Sequence, residues 1–361
     1  MSAIEGKVVV VIARDASPQD VEKVQSVSPE QLEVVPLWRS LRPDTARYFP
    51  ETHIKRFERP DVWMPDLPKE ELDRVLREAQ VAFCGGVHPS DLLSRMPNVQ
   101  WAHFSMAGLS SIQHSQFWRS KIDVTTSRGY TGARSIAEMA VFGGMMIAKS
   151  FQVAVRQTDV QHYDGKAFPP AKLAQGKTMG VIGLGGIGTN VAKLATGIGM
   201  RVVGSRRSTT KRGPDSEGVV DEVFPPSELK EMLSACDFVV VCAPATPETI
   251  GMFTAEVFSE VKPGSIFINV ARGEIVDESA MIAALETGRL AGAYLDVFQG
   301  SEEGEKPPAA LMALPNVVIT PHIAVRADVP QAFSLDLFCQ SLRKFLNGEQ
   351  IDNLVDWDRG Y

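Results

Sequence analysis

The chain is short of cysteine, of long apolar runs and of surplus positive charge. Its four cysteines, Cys84, Cys236, Cys242 and Cys339, show neither the paired spacing of a metal site nor a disulfide framework, so no metal is expected. Cys236 and Cys242 lie by or in apolar stretches and are expected as buried, reduced thiols. No apolar run approaches the length that crosses a bilayer and no signal-peptide pattern opens the chain, so the expectation is a cytoplasmic protein with no membrane partner. Lys and Arg number 37 against 44 Asp and Glu, and the net charge of −7 argues against a nucleic-acid partner. Internal repeats and low-complexity tracts are absent as well.

What is present begins with a globular composition, 44% hydrophobic and 22% charged over 361 residues, enough for two domains. The run Lys177-Thr-Met-Gly-Val-Ile-Gly-Leu-Gly-Gly-Ile-Gly-Thr-Asn-Val-Ala192 is the most informative segment. An apolar strand runs into Gly183, Gly185 and Gly188, and a helical pattern follows. Gly183 suits a tight turn, Gly185 lets backbone approach a pyrophosphate, and Gly188 lets helix pack on strand. The amides and dipole at the helix start favour phosphate. The strand and helix on either side turn a weak motif into a dinucleotide-binding fingerprint.

Strands are expected at 8–12, 32–36, 81–84, 100–104, 179–182, 201–204, 238–242, 265–270, 291–296 and 317–320. Helices alternate with them, among them 18–24, 70–78, 186–198, 277–286 with Asp277 as N-cap, and 329–346. The segment 133–148 is apolar almost all round and reads as a buried helix. Residues 42–67 show no clear period. The pattern predicts an α/β fold of two Rossmann-like lobes with doubly wound parallel sheets. The fingerprint lies midway along the chain, so the nucleotide lobe is expected as an insertion into the substrate lobe. The expected division is 1–107 for the substrate lobe, 108–325 for the dinucleotide lobe and 326–361 for the return, with the site in the cleft between lobes.

Three expected strands end in polar residues: Arg272 after 265–270, Asp296 at the end of 291–296, and His322 after 317–320. Ligands of open α/β sheets bind beyond the carboxyl ends of strands, so these residues point to one site.

The chain resembles the D-isomer-specific 2-hydroxyacid dehydrogenase family over most of 100–355. The resemblance rests on Gly183-Leu-Gly-Gly-Ile-Gly188, Pro244-Ala-Thr-Pro-Glu-Thr249, Asn269-Val-Ala-Arg-Gly-Glu-Ile-Val-Asp277, Leu295-Asp-Val-Phe298 and Leu314-Pro-Asn-Val-Val-Ile-Thr-Pro-His-Ile323. It implies that Arg272 binds the carboxylate and carbonyl oxygen of a 2-oxo acid through a charge-assisted fork. It implies that His322 is the general acid. A glutamate partner for that ring is implied too, with Glu302 first and Glu303 second, although the loop is longer than the family pattern and lacks its Glu-Pro. Ala324 and Leu109-Ser110 also depart from that pattern. Asp296 would hold the nicotinamide carboxamide, and the amides of Ala107 and Gly108 would meet the substrate carboxylate. Gly183, Gly185, Gly186, Ile187, Gly188, Ala243, Pro244, Thr249, Val270, Ala271 and His322 would line the cofactor. A homodimer built partly on the helix 133–148 is implied.

NAD-binding units usually carry an acid at the end of their second strand, about twenty residues past the glycines. Here Arg206 stands in that place, flanked by Ser205, Arg207 and Ser208. Guanidinium and hydroxyl groups receive a 2′-phosphate, so NADP(H) is expected over NAD(H). The resulting expectation is reduction of a small 2-oxo acid, glyoxylate- or hydroxypyruvate-like, to the D-2-hydroxy acid, and the reverse. The alternative is a nucleotide-sensing co-regulator on the same fold.

Overall fold

The computed structural model describes residues 6–55, 58, 66–109, 112–130, 132–215, 218–301, 305–327 and 332–358. Two compact units share the chain: unit 1 comprises Met1–Thr131 and Val329–Tyr361, and unit 2, inserted within it, comprises Gly132–Asp328.

Unit 1 holds five parallel strands, β1 (Val8–Ala13), β2 (Leu32–Pro36), β3 (Ala79–Cys84), β4 (Trp101–Phe104) and β5 (Asp123–Thr126). Their order is β2-β1-β3-β4-β5. The continuous apolar text of β1 follows from burial on both faces. Val9 and Val11 join one core with Leu72, Val75 and Leu76, while Val8, Val10 and Ile12 join another with Phe338, Leu342 and Phe345. Those three aromatic and aliphatic side chains belong to the returning helix Ala332–Leu346, whose Phe338 stacks on Phe83 with ring centroids 4.3 Å apart. Phe104 is fully buried core against Phe117.

Unit 2 holds seven parallel strands, β6 (Thr178–Ile182), β7 (Arg201–Ser205), β8 (Glu222–Phe224), β9 (Phe238–Val241), β10 (Ser265–Asn269), β11 (Leu290–Leu295) and β12 (Val317–Ile319). The order β12-β11-β10-β9-β6-β7-β8 reverses direction at β6. That reversal is the topological switch point where such sheets bind ligands, and the glycine-rich turn leaves β6 there.

The structure corrects three expectations. The first boundary lies beyond residue 108, because β5 pairs with β4 and carries the segment up to 131 into unit 1; the second falls at Asp328, just past 325. The helix Ala133–Ala148 is not buried all round. It buries Ala137, Ala140, Gly143, Gly144 and Ile147, and Gly143 is required there because a Cβ would stand 2.2 Å from the Tyr294 ring. Phe142 on another face is 59% exposed. The polar-start strand β5, the three-residue β8 and the helices Trp38–Thr45 and Phe151–Asp159 escaped the pattern. Among the described residues no single helix is long and apolar enough to cross a membrane, and no cluster of His, Cys, Asp or Glu could hold a metal. The four cysteines are free thiols; Cys236 is buried and Cys242 half-buried.

Candidate active site

All seven strands of unit 2 are parallel, so their carboxyl ends share one edge, and the residues singled out in this unit follow one another along it. After β6, Gly183 has φ +94° and a Cβ there would press on the Ala243 backbone at 2.8 Å. Glycine is obligatory at that turn. Gly188 lies under the strand end: a Cβ would stand 2.0 Å from the Gly183 carbonyl oxygen. Gly185 is different, since a Cβ built on it meets nothing within 4 Å. The helix Gly186–Gly197 starts with Thr189 N–H donating to the Gly185 carbonyl at 2.9 Å, so the amides of Gly186, Ile187 and Gly188 precede its ladder. An open approach in front of such amides fits a pyrophosphate.

At the end of β7, Ser205 is buried and its carbonyl accepts from Gly183 N–H at 2.8 Å. Arg207 and Ser208 are exposed, whereas Arg206 reaches Asp215 with Nη2 2.6 Å from Oδ1. At the end of β9, Ala243 is buried and Pro244 exposed. The Thr249 hydroxyl donates to the Pro244 carbonyl at 2.6 Å and accepts from Thr246 N–H at 2.8 Å, so it closes this turn.

The turn after β10 is organised by Asn269. Its Oδ1 accepts from Ala271 N–H at 3.0 Å and its Nδ2 donates to the Arg272 carbonyl at 2.9 Å. Val270 and Ala271 are buried, and Arg272 is half-buried with Nη1 donating to the Ala271 carbonyl. Gly273 follows because the backbone of Phe298 passes there; a Cβ would meet its carbonyl carbon at 2.1 Å.

The turn after β12 is organised in the same way by Asp296. This buried carboxylate accepts from Thr320 Oγ1 at 2.6 Å, Ile323 N–H at 3.0 Å and Ala324 N–H at 3.0 Å. Between these contacts His322 takes the left-handed φ of +52°. Because the Thr320 hydrogen goes to Asp296, the Tyr294 hydroxyl is the donor in its 2.8 Å contact with Thr320. Burial pushes the Tyr294 phenol up to about 12, the Thr320 contact opposing and the Asp296 charge adding. The Asp296 N–H donates to the Asn269 carbonyl at 2.9 Å, which ties the two turns together.

Ala107 and Gly108 follow β4 of unit 1 and are half-buried. Glu302 and Glu303 lie outside the described residues. Sequence reasoning missed Asn269, Thr320 and Asp215 as organising residues. An amide at the last position of a strand, one residue before a conformationally irregular turn, is the available signal for the first.

Residues 143–324 match the family model described as D-isomer specific 2-hydroxyacid dehydrogenase, NAD binding domain. A glyoxylate reductase from Thermococcus gammatolerans is 40% identical over 181 residues, covering 50% of this chain and 52% of that protein. A D-3-phosphoglycerate dehydrogenase from Methanocaldococcus jannaschii is 29% identical over 296 residues, covering 80% of this chain and 54% of that one. The chain thus spans about half the length of the curated relatives it matches. A D-isomer specific 2-hydroxyacid dehydrogenase from Xanthobacter autotrophicus Py2, solved in complex with NADPH and MES, has a TM-score of 0.72 at 25% identity, with 99% of this chain and 100% of that chain covered. With the family match running from the helix before β6 to the turn after β12, the chain belongs to the D-isomer specific 2-hydroxyacid dehydrogenase family.

Proposed function

We propose that the protein reduces a small 2-oxo acid to the D-2-hydroxy acid, and catalyses the reverse, with NADP(H) preferred over NAD(H). The observation that carries this reading is the linked pair of turns that carry Arg272 and His322 past the ends of β10 and β12, on either side of β11 and on the edge that also holds the glycine turn.

The amides of Gly186, Ile187 and Gly188 would hold the pyrophosphate, and Ser205, Arg206, Arg207 and Ser208 the adenosine end. Ala243, Pro244, Thr249, Val270 and Ala271 would line the nucleotide between them. The bound nicotinamide supplies the hydride. Arg272 fastens the substrate carboxylate and polarises its carbonyl oxygen by charge-assisted hydrogen bonds, which strengthen as that oxygen gains charge. His322 gives its proton to the same oxygen and takes it back in the reverse direction. Asp296 has three donors on its carboxylate and retains an acceptor position for a carboxamide N–H. Glu302, or Glu303 beside it, is the proposed ring partner of His322.

The relatives named as glyoxylate reductases support a short 2-oxo acid such as glyoxylate or hydroxypyruvate. The neighbour solved with NADPH supports the cofactor, alongside the absence of an acid at the end of β7. A second copy of the chain is the proposed partner, seated on the apolar residues that the helices Ala133–Ala148 and Phe151–Asp159 leave exposed.

The test is NADPH and NADH oxidation against a panel of 2-oxo acids, with chiral analysis of the product. Turnover with NADPH to a D-hydroxy acid is expected. An inert panel, or an L-product, rejects the reading.

A further inference from the structure

We propose that Ser135 is a positioning residue for the general acid: from the helix Ala133–Ala148 it locks the turn that carries His322. This rests on the role given to His322 above. Ser135 is the third residue of that helix, and its hydroxyl lies 2.8 Å from the carbonyl oxygens of both Ala324 and Arg326. A hydroxyl carries one hydrogen, so the two carbonyls share it. Ala324 is 1% exposed, whereas Arg326 is exposed and its contact with the serine lies at the surface. Water can replace the hydroxyl more readily at Arg326 than at Ala324, so the Ala324 bond is the one that matters.

Ala324 is thereby fixed at both of its backbone groups. Its N–H goes to Asp296 Oδ2 at 3.0 Å and its carbonyl to Ser135, so the end of β11 and the start of the helix grip the same residue. Arg326 N–H donates to the Ile323 carbonyl at 2.8 Å and tightens the segment between. Val325 meets the helix start as well: a Cβ on Gly132, at φ +66°, would stand 2.4 Å from Val325 Cγ2. Glycine at that position lets the helix begin this close to the turn. His322 lies two residues before Ala324, at its left-handed φ of +52°. Asp296 secures the amide side of the turn, and a backbone held along one side alone can still pivot about those bonds. The Ser135 contact on the carbonyl side removes the pivot. The imidazole then keeps one direction, which matters because a proton transfer slows steeply when its donor is misplaced.

The experiment uses the full chain and its Ser135→Ala, Ser135→Thr and Ser135→Cys variants, the first also combined with His322→Asn. The readouts are kcat and KM for NADPH-dependent reduction of glyoxylate and of hydroxypyruvate, and NADPH affinity by fluorescence titration. Ser135→Ala is expected to lower kcat by about tenfold, with the substrate KM and the NADPH affinity within about twofold of wild type. Ser135→Thr keeps a hydroxyl and should bring kcat back to within about threefold of wild type. In the His322→Asn background Ser135→Ala should change the residual rate by less than about twofold, since it acts through that ring. A wild-type kcat in Ser135→Ala, a loss that threonine does not rescue, an equal loss without the imidazole, or a parallel fall in NADPH affinity overturns the proposal. If Ser135→Ala does not fold, Ser135→Cys decides, because a thiol is a weak donor. A lowered kcat with NADPH affinity kept then supports the role, and a wild-type kcat overturns it. A wild-type chain that reduces neither acid, or a His322→Asn variant with undiminished kcat, overturns the reading of the site and this proposal with it.

Discussion

The backbone N–H of His322 donates to the carbonyl of Asp296 at 3.1 Å, while the Asp296 carboxylate receives the amides of the next two residues, Ile323 and Ala324, each at 3.0 Å. A left-handed histidine is unfavourable by about 1–2 kcal/mol and persists where its surroundings over-determine it. Asp296 provides that determination from a position one residue past β11.

Asp296→Asn replaces one acceptor oxygen with an N–H donor facing amide or hydroxyl hydrogens. The turn should relax, and leaving a buried donor unmet costs about 1–3 kcal/mol. The expected outcome is a fall of about 10-fold or more in kcat with a lowered melting temperature. Steady-state kinetics and thermal denaturation check both; a kcat within about twofold of wild type would contradict the role given to Asp296.

The glycines of the fingerprint separate into two kinds, and substitutions tell them apart. Gly188→Ala drives a Cβ to 2.0 Å from the Gly183 carbonyl oxygen and 3.0 Å from Val181, so helix and strand must part. Overpacking of this kind destabilises by about 1–3 kcal/mol, and unit 2 should melt earlier with weaker NADPH binding. Gly185→Ala meets no protein atom within 4 Å and its φ is −89°. Stability should therefore hold while NADPH affinity falls, because the methyl occupies the approach to the first amides. Melting curves and NADPH titrations of both variants distinguish the two; equal effects on both readouts would remove the distinction.

Much of this was legible in the chain. Strands such as β1 and β9 are buried on both faces and read as unbroken apolar runs, and the glycines of the β6 turn mark their own geometry. Strand-end residues Arg272, Asp296 and His322 were identifiable because topology alone puts parallel carboxyl ends on one edge. What organises them was not. The partners of Asp296 come from 24 to 28 residues further along, and no local pattern encodes such a contact. Asp215 escaped because it lies in the loop after β7 and meets Arg206 only through the way that loop folds back. β5 escaped because Asp123-Val-Thr-Thr126 is a short edge strand with one aliphatic residue, its identity conferred by pairing with β4.

Exposed apolar residues on two consecutive helices of unit 2 lead to a prediction about assembly. Phe142, Phe151, Val155 and Val160 are 59, 58, 48 and 73% exposed. Large apolar side chains left this exposed on consecutive elements suit a protein interface. With a second copy as partner, Phe151→Asp should shift the chain from dimer to monomer in sedimentation equilibrium without altering far-ultraviolet circular dichroism. A wild-type chain that sediments as a monomer would dismiss the dimer.

Arg272→Lys keeps the charge and loses the planar fork. A fall of about 100-fold or more in kcat/KM is expected for the 2-oxo acid, with NADPH binding unchanged, and His322→Asn should lower kcat by about 100-fold or more. Arg272→Lys at near wild-type kcat/KM would show that the substrate carboxylate is held elsewhere.

Acid sensitivity should concentrate in unit 1, where two histidines are buried without charge. Burial pushes His88 down to about 4, with its Nδ1 3.3 Å from the Gly85 carbonyl and its ring between Phe104 and Phe117. Burial, then the nearby Arg14 charge, pushes His103 down to about 3; its ring nitrogens contact the hydroxyls of Thr125 and Ser127 at 2.7 and 2.9 Å. In the unfolded chain both titrate near their ordinary value of about 6.5. Below that pH the unfolded state binds protons that the folded state refuses, so stability is complete above about 6.5 and falls on acidification, until each folded value is reached. The slope is about 1.4 kcal/mol per pH unit for each histidine. All five tryptophans, Trp38, Trp63, Trp101, Trp118 and Trp357, belong to the segments of unit 1, so tryptophan fluorescence in denaturant reports on this unit. Between about pH 6 and pH 5, above the range in which most carboxylates titrate, the unfolding free energy should drop with nearly the slope of two histidines. His103→Gln should remove about half of that slope; an identical slope in the variant would mean that His103 is charged in the folded protein or neutral in the unfolded one.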